Sequence, residues 1–320
     1  MNVLITGGLG FIGSNLFNFM REKYPDYNLV ILDSCTYAAD ENNINDDKSK
    51  RIIKFSITDR QRLFSLFENY KFTQVIHLAA ESHVDNSIEN PMEFINTNII
   101  GTANLLDASV KYNVKLFYHI STDEVFGQLG ETGSFNETTP YDPRSPYSAS
   151  KAASDHLVRA YYHTYKLPIV ISNCSNNYGP NQHIEKLIPK VIKNILDGKQ
   201  IPIYGDGSNV RDWLYVTDHV EAIDLIVHNG RIGETYCIGG DNETTNLEIT
   251  KLICKKVDEV MMWDKKSEDL ITFVEDRKGH DFRYSIDYTK INNELGWKPK
   301  VGITKGIEKT INYYLKKFVK

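Results

Sequence analysis

Six short runs in the first half of the chain are dominated by aliphatic and aromatic residues: 2–6 (NVLIT), 29–33 (LVILD), 52–55 (IIKF), 74–78 (QVIHL), 115–121 (KLFYHIS) and 169–173 (IVISN). Each reads as a strand buried in a parallel sheet rather than one with a wet face. Between them lie amphipathic segments at 11–22, 60–69 and 98–112, whose apolar residues recur at helical spacing. Alternation of this kind predicts a doubly wound α/β fold. From about Tyr178 the pattern changes to loops and short helices, with turn signals at 204–207 (YGDG), 239–242 (GGDN) and 279–280 (GH). That change predicts a second, smaller α/β domain on the carboxyl ends of the strands, where open sheets take their ligands. The expected division is 1–177, joined by part of 212–240, and 178–320. The Asn/Asp/Lys stretch at 40–50 reads as a surface loop.

Two helical segments carry more apolar surface than one buried face requires. Segment 148–166 has Ala149, Ala152, Ala153, Leu157, Val158, Ala160, Tyr161, Tyr162 and Tyr165 around much of its circumference. Segment 98–112 has Ile99, Ile100, Ala103, Leu105, Leu106, Ala108 and Val110. A second apolar face needs a second burial surface. Contact with another copy, giving a homodimer, is one solution, and burial within the monomer is the other.

Composition narrows the function classes. A net charge of −5 without a basic stripe argues against a nucleic-acid partner. The end, Lys316-Lys317-Phe-Val-Lys320, reads as a solvated helix terminus. No apolar run reaches the ~20 residues that span a bilayer. The chain runs straight into MNVLITGG without a basic leader, so no membrane partner and a cytoplasmic location are expected. Cysteines 35, 174, 237 and 254 and the nine histidines show no metal-ligand spacing. Reduced thiols and no metal are the expectation.

The chemistry begins at Thr6-Gly-Gly-Leu-Gly-Phe-Ile-Gly13, between the first strand and the first helix. Gly7, Gly10 and Gly13 have the spacing of a dinucleotide-binding turn, in which glycines admit a pyrophosphate close to backbone N–H groups. The fold class is therefore read as a Rossmann-type doubly wound sheet. Asp33 ends the second strand, 20 residues beyond Gly13. A carboxylate there accepts from ribose hydroxyls and repels a 2′-phosphate, which favours NAD over NADP. A helix-capping acid is the plain alternative. In SPYSASK, Tyr147 and Lys151 are four apart, so they share one helix face. An ammonium beside a phenol lowers the phenol's pKa toward the working range. Upstream, the strand at 115–121 runs into Thr122, Asp123 and Glu124, two adjacent acids beside a hydroxyl.

These motifs occur in order with LAAESHVDNS, STDEVFG, NCSNNYGPNQ, EKLIP, IYGDGSNVRDWLYV, DRKGHDFRY and ELGWKPK. The chain resembles an extended short-chain dehydrogenase/reductase nearly end to end. Within that superfamily it resembles the dTDP-glucose 4,6-dehydratases. The resemblance implies an NAD-dependent lyase of nucleotide-sugar metabolism that oxidises a nucleotide-diphosphate-glucose at C4, eliminates water across C5–C6 and reduces C6. It makes Tyr147, with Lys151, the base for the C4 hydroxyl, and Thr122 that hydroxyl's hydrogen-bond partner. Glu124 is the base for the C5 proton, and Asp123 the acid for the departing C6 hydroxyl. The two roles require split pKa values, with Asp123 protonated.

The resemblance also implies contacts. Gly7, Gly10, Phe11, Ile12, Gly13, Asp33, Ser34, Thr36, Ser56, Ile57, Leu78, Ala79, Ala80, Glu81, Thr97, Tyr147, Lys151 and Asn177 would hold NAD. Ser82, Thr122 and Asn176 resemble glucose contacts. Lys186, Leu187, Arg211, Asn246, Asp276, Arg277 and His280 resemble contacts to the nucleotide diphosphate, with Pro202, Ile203 and Tyr204 flanking the base. For His83, Asp85 and His280 a structural role is as open as a catalytic one. HVDNS, with Asn86 where dTDP enzymes usually carry Arg, resembles the UDP-glucose-using dehydratase domains of rhamnose synthases, as do YGPNQ and GSNVR. NCSNNYGP, RDWLYVTDH and GHDFRY resemble the dTDP enzymes, and 33–51 is short for the family. Related 4-epimerases lack the Asp-Glu pair, and related decarboxylases carry Ser at the Asp123 position. A non-catalytic NAD sensor is the rival from another class; such proteins usually lose the Tyr, the Lys or an acid.

Overall fold

The computed structural model describes residues 1–45 and 51–318. Of the expected loop at 40–50, residues 46–50 lie outside the described residues, and Glu41–Asn43 forms one 3-10 turn.

The first body winds β1 (Asn2–Thr6), α1 (Phe11–Lys23), β2 (Asn28–Asp33), β3 (Ile52–Lys54), α2 (Arg60–Tyr70), β4 (Gln74–His77), α3 (Val84–Glu89), α4 (Pro91–Phe94), α5 (Thr102–Lys111), β5 (Leu116–Thr122), α6 (Pro146–Tyr165) and β6 (Ile169–Cys174). Then come β7 (Asn176–Tyr178), α7 (Leu187–Asp197), β8 (Ile201–Tyr204), β9 (Val210–Tyr215), α8 (Val216–Asn229), β10 (Thr235–Ile238), β11 (Glu243–Thr245), α9 (Asn246–Met261), β12 (Ile271–Val274), α10 (Thr289–Leu295) and α11 (Ile303–Phe318). The Lys-rich end begins in the last turn of α11, and Lys320 lies outside the described residues.

Seven parallel strands form the central sheet in the order β10-β6-β5-β4-β1-β2-β3. The order reverses between β1 and β4, which opens a crevice at their carboxyl ends. Strand β5 is buried at all seven positions because helices cover both faces. One apolar layer unites α1 and α8 with one face of the sheet (Leu16, Phe17, Val220, Ile223), and another unites α2, α5 and α6 with the other (Leu63, Phe67, Leu105, Val158). A third core, with Ile192, Ile195, Trp213, Ile253 and Ile311, lies among α7, α9, α11 and the small sheets.

The helix expected over 98–112 is two elements. Ile95–Gly101 is a π-helical turn, and α5 follows at Thr102. The wider turn lets Asn98 bond both backbone groups of Glu81 (2.9 and 3.0 Å) and Ser150 Oγ (2.8 Å). The loop after β4 is thereby tied to α6, and such turns often mark functional sites. α6 starts with Pro146 and a Ser145–Ser148 capping box, which fixes where its first turn begins.

Candidate active site

The crevice is bounded by the glycine turn, the ends of β2, β4, β5 and β6, the first turns of α6, and the segment from Gln182 to Lys186. Gly7 adopts φ +69°, and a Cβ there would lie 2.7 Å from Ala79 N. A Cβ on Gly13 would lie 2.2 Å from Gly7 O. α1 has no side-chain cap and no acid in its first turn, so its leading N–H groups are left for an anion at the crevice. Asp33 accepts from Leu9 N (3.0 Å) and Cys35 N (2.8 Å). It therefore braces the glycine turn as well as facing the crevice, and it caps no helix. The cradle fits a dinucleotide.

Opposite lie the five expected reaction residues. Thr122 ends β5, and Asp123 and Glu124 open the 3-10 turn Asp123–Phe126. Thr122 Oγ1 accepts from Glu124 N (3.3 Å) and donates to Asp123 Oδ1 (3.2 Å). Asp123 is 1% exposed, and its Oδ2 has no partner among the described residues. Burial, then Glu124 and Asp212, push the Asp123 carboxyl well above the usual range. Burial also raises Glu124, but Arg277, Arg211 and Lys186 pull it back. The neighbouring acids are thus driven apart in the sense that leaves Asp123 the proton holder.

Tyr147 departs from expectation. Its phenol is pushed well above its ordinary value by burial and by Glu124, with a hydrogen bond to Thr122 opposing. Lys151 is not among the main influences on it; that ammonium donates to Ile120 O at 2.8 Å. Tyr147, Lys151, Asp155 and Arg159 follow one another at successive turns of α6. Asp155, fully buried, accepts from His119 Nε2 (3.0 Å), Ser121 Oγ (2.8 Å), Tyr141 OH (2.8 Å) and Asn173 Nδ2 (3.4 Å). Those donors hold its pKa down despite burial. Burial drives His119 down to about 4, so it stays neutral and donates.

The family model described as GDP-mannose 4,6 dehydratase matches residues 4–310. A dTDP-glucose 4,6-dehydratase of Haemophilus influenzae is 48% identical, over 98% of this chain and 98% of its own. The chain belongs to the dTDP-glucose 4,6-dehydratase family. A crystal structure of the dTDP-glucose 4,6-dehydratase from Bacillus anthracis in complex with NAD matches with TM-score 0.89 and 42% identity, over 99% of this chain and 97% of that one. A UDP-glucose 4-epimerase of Thermotoga maritima matches with TM-score 0.90 at 31% identity, over 99% of both chains. Backbone shape therefore does not separate dehydratase from epimerase; the acids after β5 must.

All the residues expected to hold the dinucleotide line the crevice, as do Ser82, Asn176 and Lys186. The remaining family contacts gather beyond it. Tyr204 OH donates to Asp85 Oδ2 (3.3 Å), Arg277 reaches Asp85 (3.8 Å), and His280 pairs with Asp276 (2.6 Å) and packs edge-on to Tyr204. Asp85 and His280 thus hold neighbours in place. Arg277 Nε is buried without a partner among the described residues. Arg211 is held by the carbonyls of Val210 and Asp281 and stacks on Tyr284. Leu187 and Asn246 open α7 and α9.

Ile203 corrects the expectation. Alternation along β8 turns its side chain into the third core, leaving only its main chain for a ligand, while Pro202 and Tyr204 face outward. Sequence reasoning passed over Cys174, Gln182, His183 and Glu185, which line the crevice, and Tyr284, whose phenol feels the Glu124 charge. Four of the five fall inside the motifs named above and His183 lies just after one of them; their residue types alone carried no distinct signal.

Proposed function

We propose that the protein is an NAD-dependent lyase that converts dTDP-glucose to its 4-keto-6-deoxy product with loss of one water. The single observation that carries this is the split pair Asp123 and Glu124 facing the same crevice as Tyr147 and the glycine turn. NAD, when bound, supplies a reversible two-electron oxidation, taken up at C4 and given back at C6. Gly7, Gly10, Gly13 and Asp33 would hold its pyrophosphate and ribose, with Lys151 at the nicotinamide end. Tyr147 would take the C4 hydroxyl proton as its phenolate, assisted by Thr122; burial and Glu124 oppose that form, and the positive charge of bound NAD would offset them. Glu124 removes the C5 proton that the C4 ketone acidifies, and Asp123 protonates the departing C6 hydroxyl. Lys186, Arg211 and Arg277 would hold the diphosphate, with Ser82 and Asn176 at the glucose and Pro202 and Tyr204 at the base.

Side-by-side assays of dTDP-glucose and UDP-glucose, read by mass for loss of 18 Da (one H2O), test the assignment. Product from the wild type and none from Asp123→Asn/Glu124→Gln supports it, and the rate ratio names the nucleotide. NAD-loaded protein that dehydrates neither substrate refutes it.

Three further readings go with this one. We assign 1–177 with part of 212–240 to NAD and 178–320 to the nucleotide sugar; the placement of β10 in the large sheet and of α8 against α1 supports that division. We infer a homodimer, because Met92, Ile95, Ile100 and Tyr165 are exposed on α6 or on segments packed against it. The free cysteines favour a reducing, cytoplasmic compartment. Among the described residues no helix is long and apolar enough to cross a membrane, and no cluster could hold a metal ion.

A further inference from the structure

On the dehydratase reading, on which this inference rests, two chemistries act on one sugar. Tyr147 and Lys151, on α6, serve the oxidation at C4. Asp123 and Glu124, on the turn after β5, serve the elimination across C5–C6. The acids must therefore keep their place relative to the phenol, although residues 127–145 run between the turn and the helix.

Buried polar groups make that connection. Asp155 lies about two turns beyond Tyr147 on α6. It is fully buried and forms no part of the crevice wall. Its Oδ1 accepts from His119 Nε2 (3.0 Å) and its Oδ2 from Ser121 Oγ (2.8 Å), alternate residues of β5 that face the same helix. Oδ2 also accepts from Tyr141 OH (2.8 Å) and Asn173 Nδ2 (3.4 Å), and each of these carries the restraint to the acids. Asn173 Nδ2 donates to Thr122 O at 3.1 Å, the carbonyl of the peptide bond to Asp123. On the other side of the turn, Asp142 N, next to Tyr141, donates to Val125 O at 3.0 Å. Asn173 is fully buried and its Oδ1 has no partner among the described residues, so its NH2 group orients it. The sheet holds without this cluster: β5 pairs with β6 from Phe117 to Thr122, and exchanging a whole buried ionic cluster for apolar packing is often neutral for stability.

We propose that Asp155, acting through Asn173 and Tyr141, is the positioning residue that sets the Asp123–Glu124 pair against Tyr147. Oxidation at C4 depends on Tyr147, Lys151 and the dinucleotide, which α6 and the glycine turn hold. Elimination depends in addition on where the turn after β5 places the acids. Loosening the cluster therefore slows the second step more than the first. A misplacement of about 1 Å costs roughly 10²-fold in rate.

The two steps have separate signals. NAD-loaded enzyme is mixed rapidly with dTDP-glucose; NADH absorbance reports oxidation, and quenched samples read by mass report loss of water. The variants are Asn173→Leu, which removes the NH2 at similar volume, and Tyr141→Phe, which removes one hydroxyl. Neither side chain lines the crevice, and both variants leave the Asp155 charge beside Lys151. In Asn173→Leu, NADH should form at close to the wild-type rate while water loss slows by roughly 10²-fold. NADH and a keto sugar lighter than substrate by H2 then accumulate ahead of product. Tyr141→Phe, the milder change, should show a smaller separation of the same sign. A role in folding alone lowers both signals together, in proportion to the folded fraction. A separation in either variant supports the positioning role, and no separation in both overturns it. Absence of water loss from the wild type overturns the dehydratase reading instead.

Discussion

Asp155→Asn removes one charge from the interior and almost no volume, so no cavity term enters. The carboxylate has four donors, His119 and Ser121 from β5, Asn173 from β6 and Tyr141 from the segment before α6. In the amide, one oxygen becomes an NH2. If it replaces Oδ2, the Ser121 and Tyr141 hydroxyls can turn to accept from it, but the Asn173 NH2 cannot. If it replaces Oδ1, it meets His119 Nε2, whose ring would have to move its proton to Nδ1, a buried atom with no partner among the described residues. A hydrogen bond to a charged group contributes about 1.5–3 kcal/mol, and breaking one partner of a buried charge pair costs about 3–5 kcal/mol. The Lys151 ammonium also loses the opposite charge one turn below it. A loss of about 3 kcal/mol is expected, which lowers Tm by about 6–12 °C at the ~2–4 °C per kcal/mol of large domains. Calorimetry of wild type and variant at matched NAD loading measures it. The pH sign is fixed too. The folded pKa of Asp155 is depressed, so its contribution is present above the unfolded value of about 3.9 and fades only as pH falls through the folded one. The Tm difference should be flat from about pH 8 to 5 and shrink below about pH 4. A drop under about 3 °C at neutral pH, or a difference that vanishes between about pH 8 and 6, would refute the charged network.

Arg277→Gln removes the largest influence holding Glu124 down. Glu124 then keeps its proton to higher pH, so the acid limb of kcat/KM should move upward while kcat at alkaline pH changes less; an unmoved limb would place Arg277 too far from the reaction to matter. Gly13→Ala sets a methyl 2.2 Å from Gly7 O with backbone on its other sides. Such overpacking costs about 1–3 kcal/mol and displaces the glycine turn, so NAD retained through gel filtration should fall sharply; full NAD content at unchanged Tm would show that the turn has room to spare.

The sequence was most legible where burial and function impose the same demand. β1 needed Val3, Leu4 and Ile5 to fill the sheet, and the glycine turn that follows it had to stay bare for the chain to pass Ala79. Both were read to the residue. Part of 212–240 was expected to join the first domain, but β10 was not read as a strand, because TYCI is four residues long, follows the first elements of the second lobe, and among the described residues pairs with β6 alone. Nothing local marks a strand that returns to a sheet from so far away. Ile203 was assigned to a ligand because a motif treats three residues alike, whereas a strand sends alternate side chains to opposite sides. Lys151 was expected to act on its helical neighbour; the carbonyl at the end of β5 was the nearer acceptor, and only tertiary structure shows that. The electrostatic split of Asp123 and Glu124 was equally invisible, because it depends on three cations brought from 186, 211 and 277.

The π-helical turn at Ile95–Gly101 bears on how this chain tolerates change in length. A π turn holds one residue more than the helix around it. Deleting a single residue there would let the segment relax into regular α-helix, the lower-energy backbone, with the flanking turns kept in register because the residue removed is the extra one the wider turn holds. Asn98 could then no longer bridge Glu81 and Ser150, the link between the crevice floor and α6. A version of this protein one residue shorter at that turn would gain the more regular helix and lose the alignment of its floor with Tyr147.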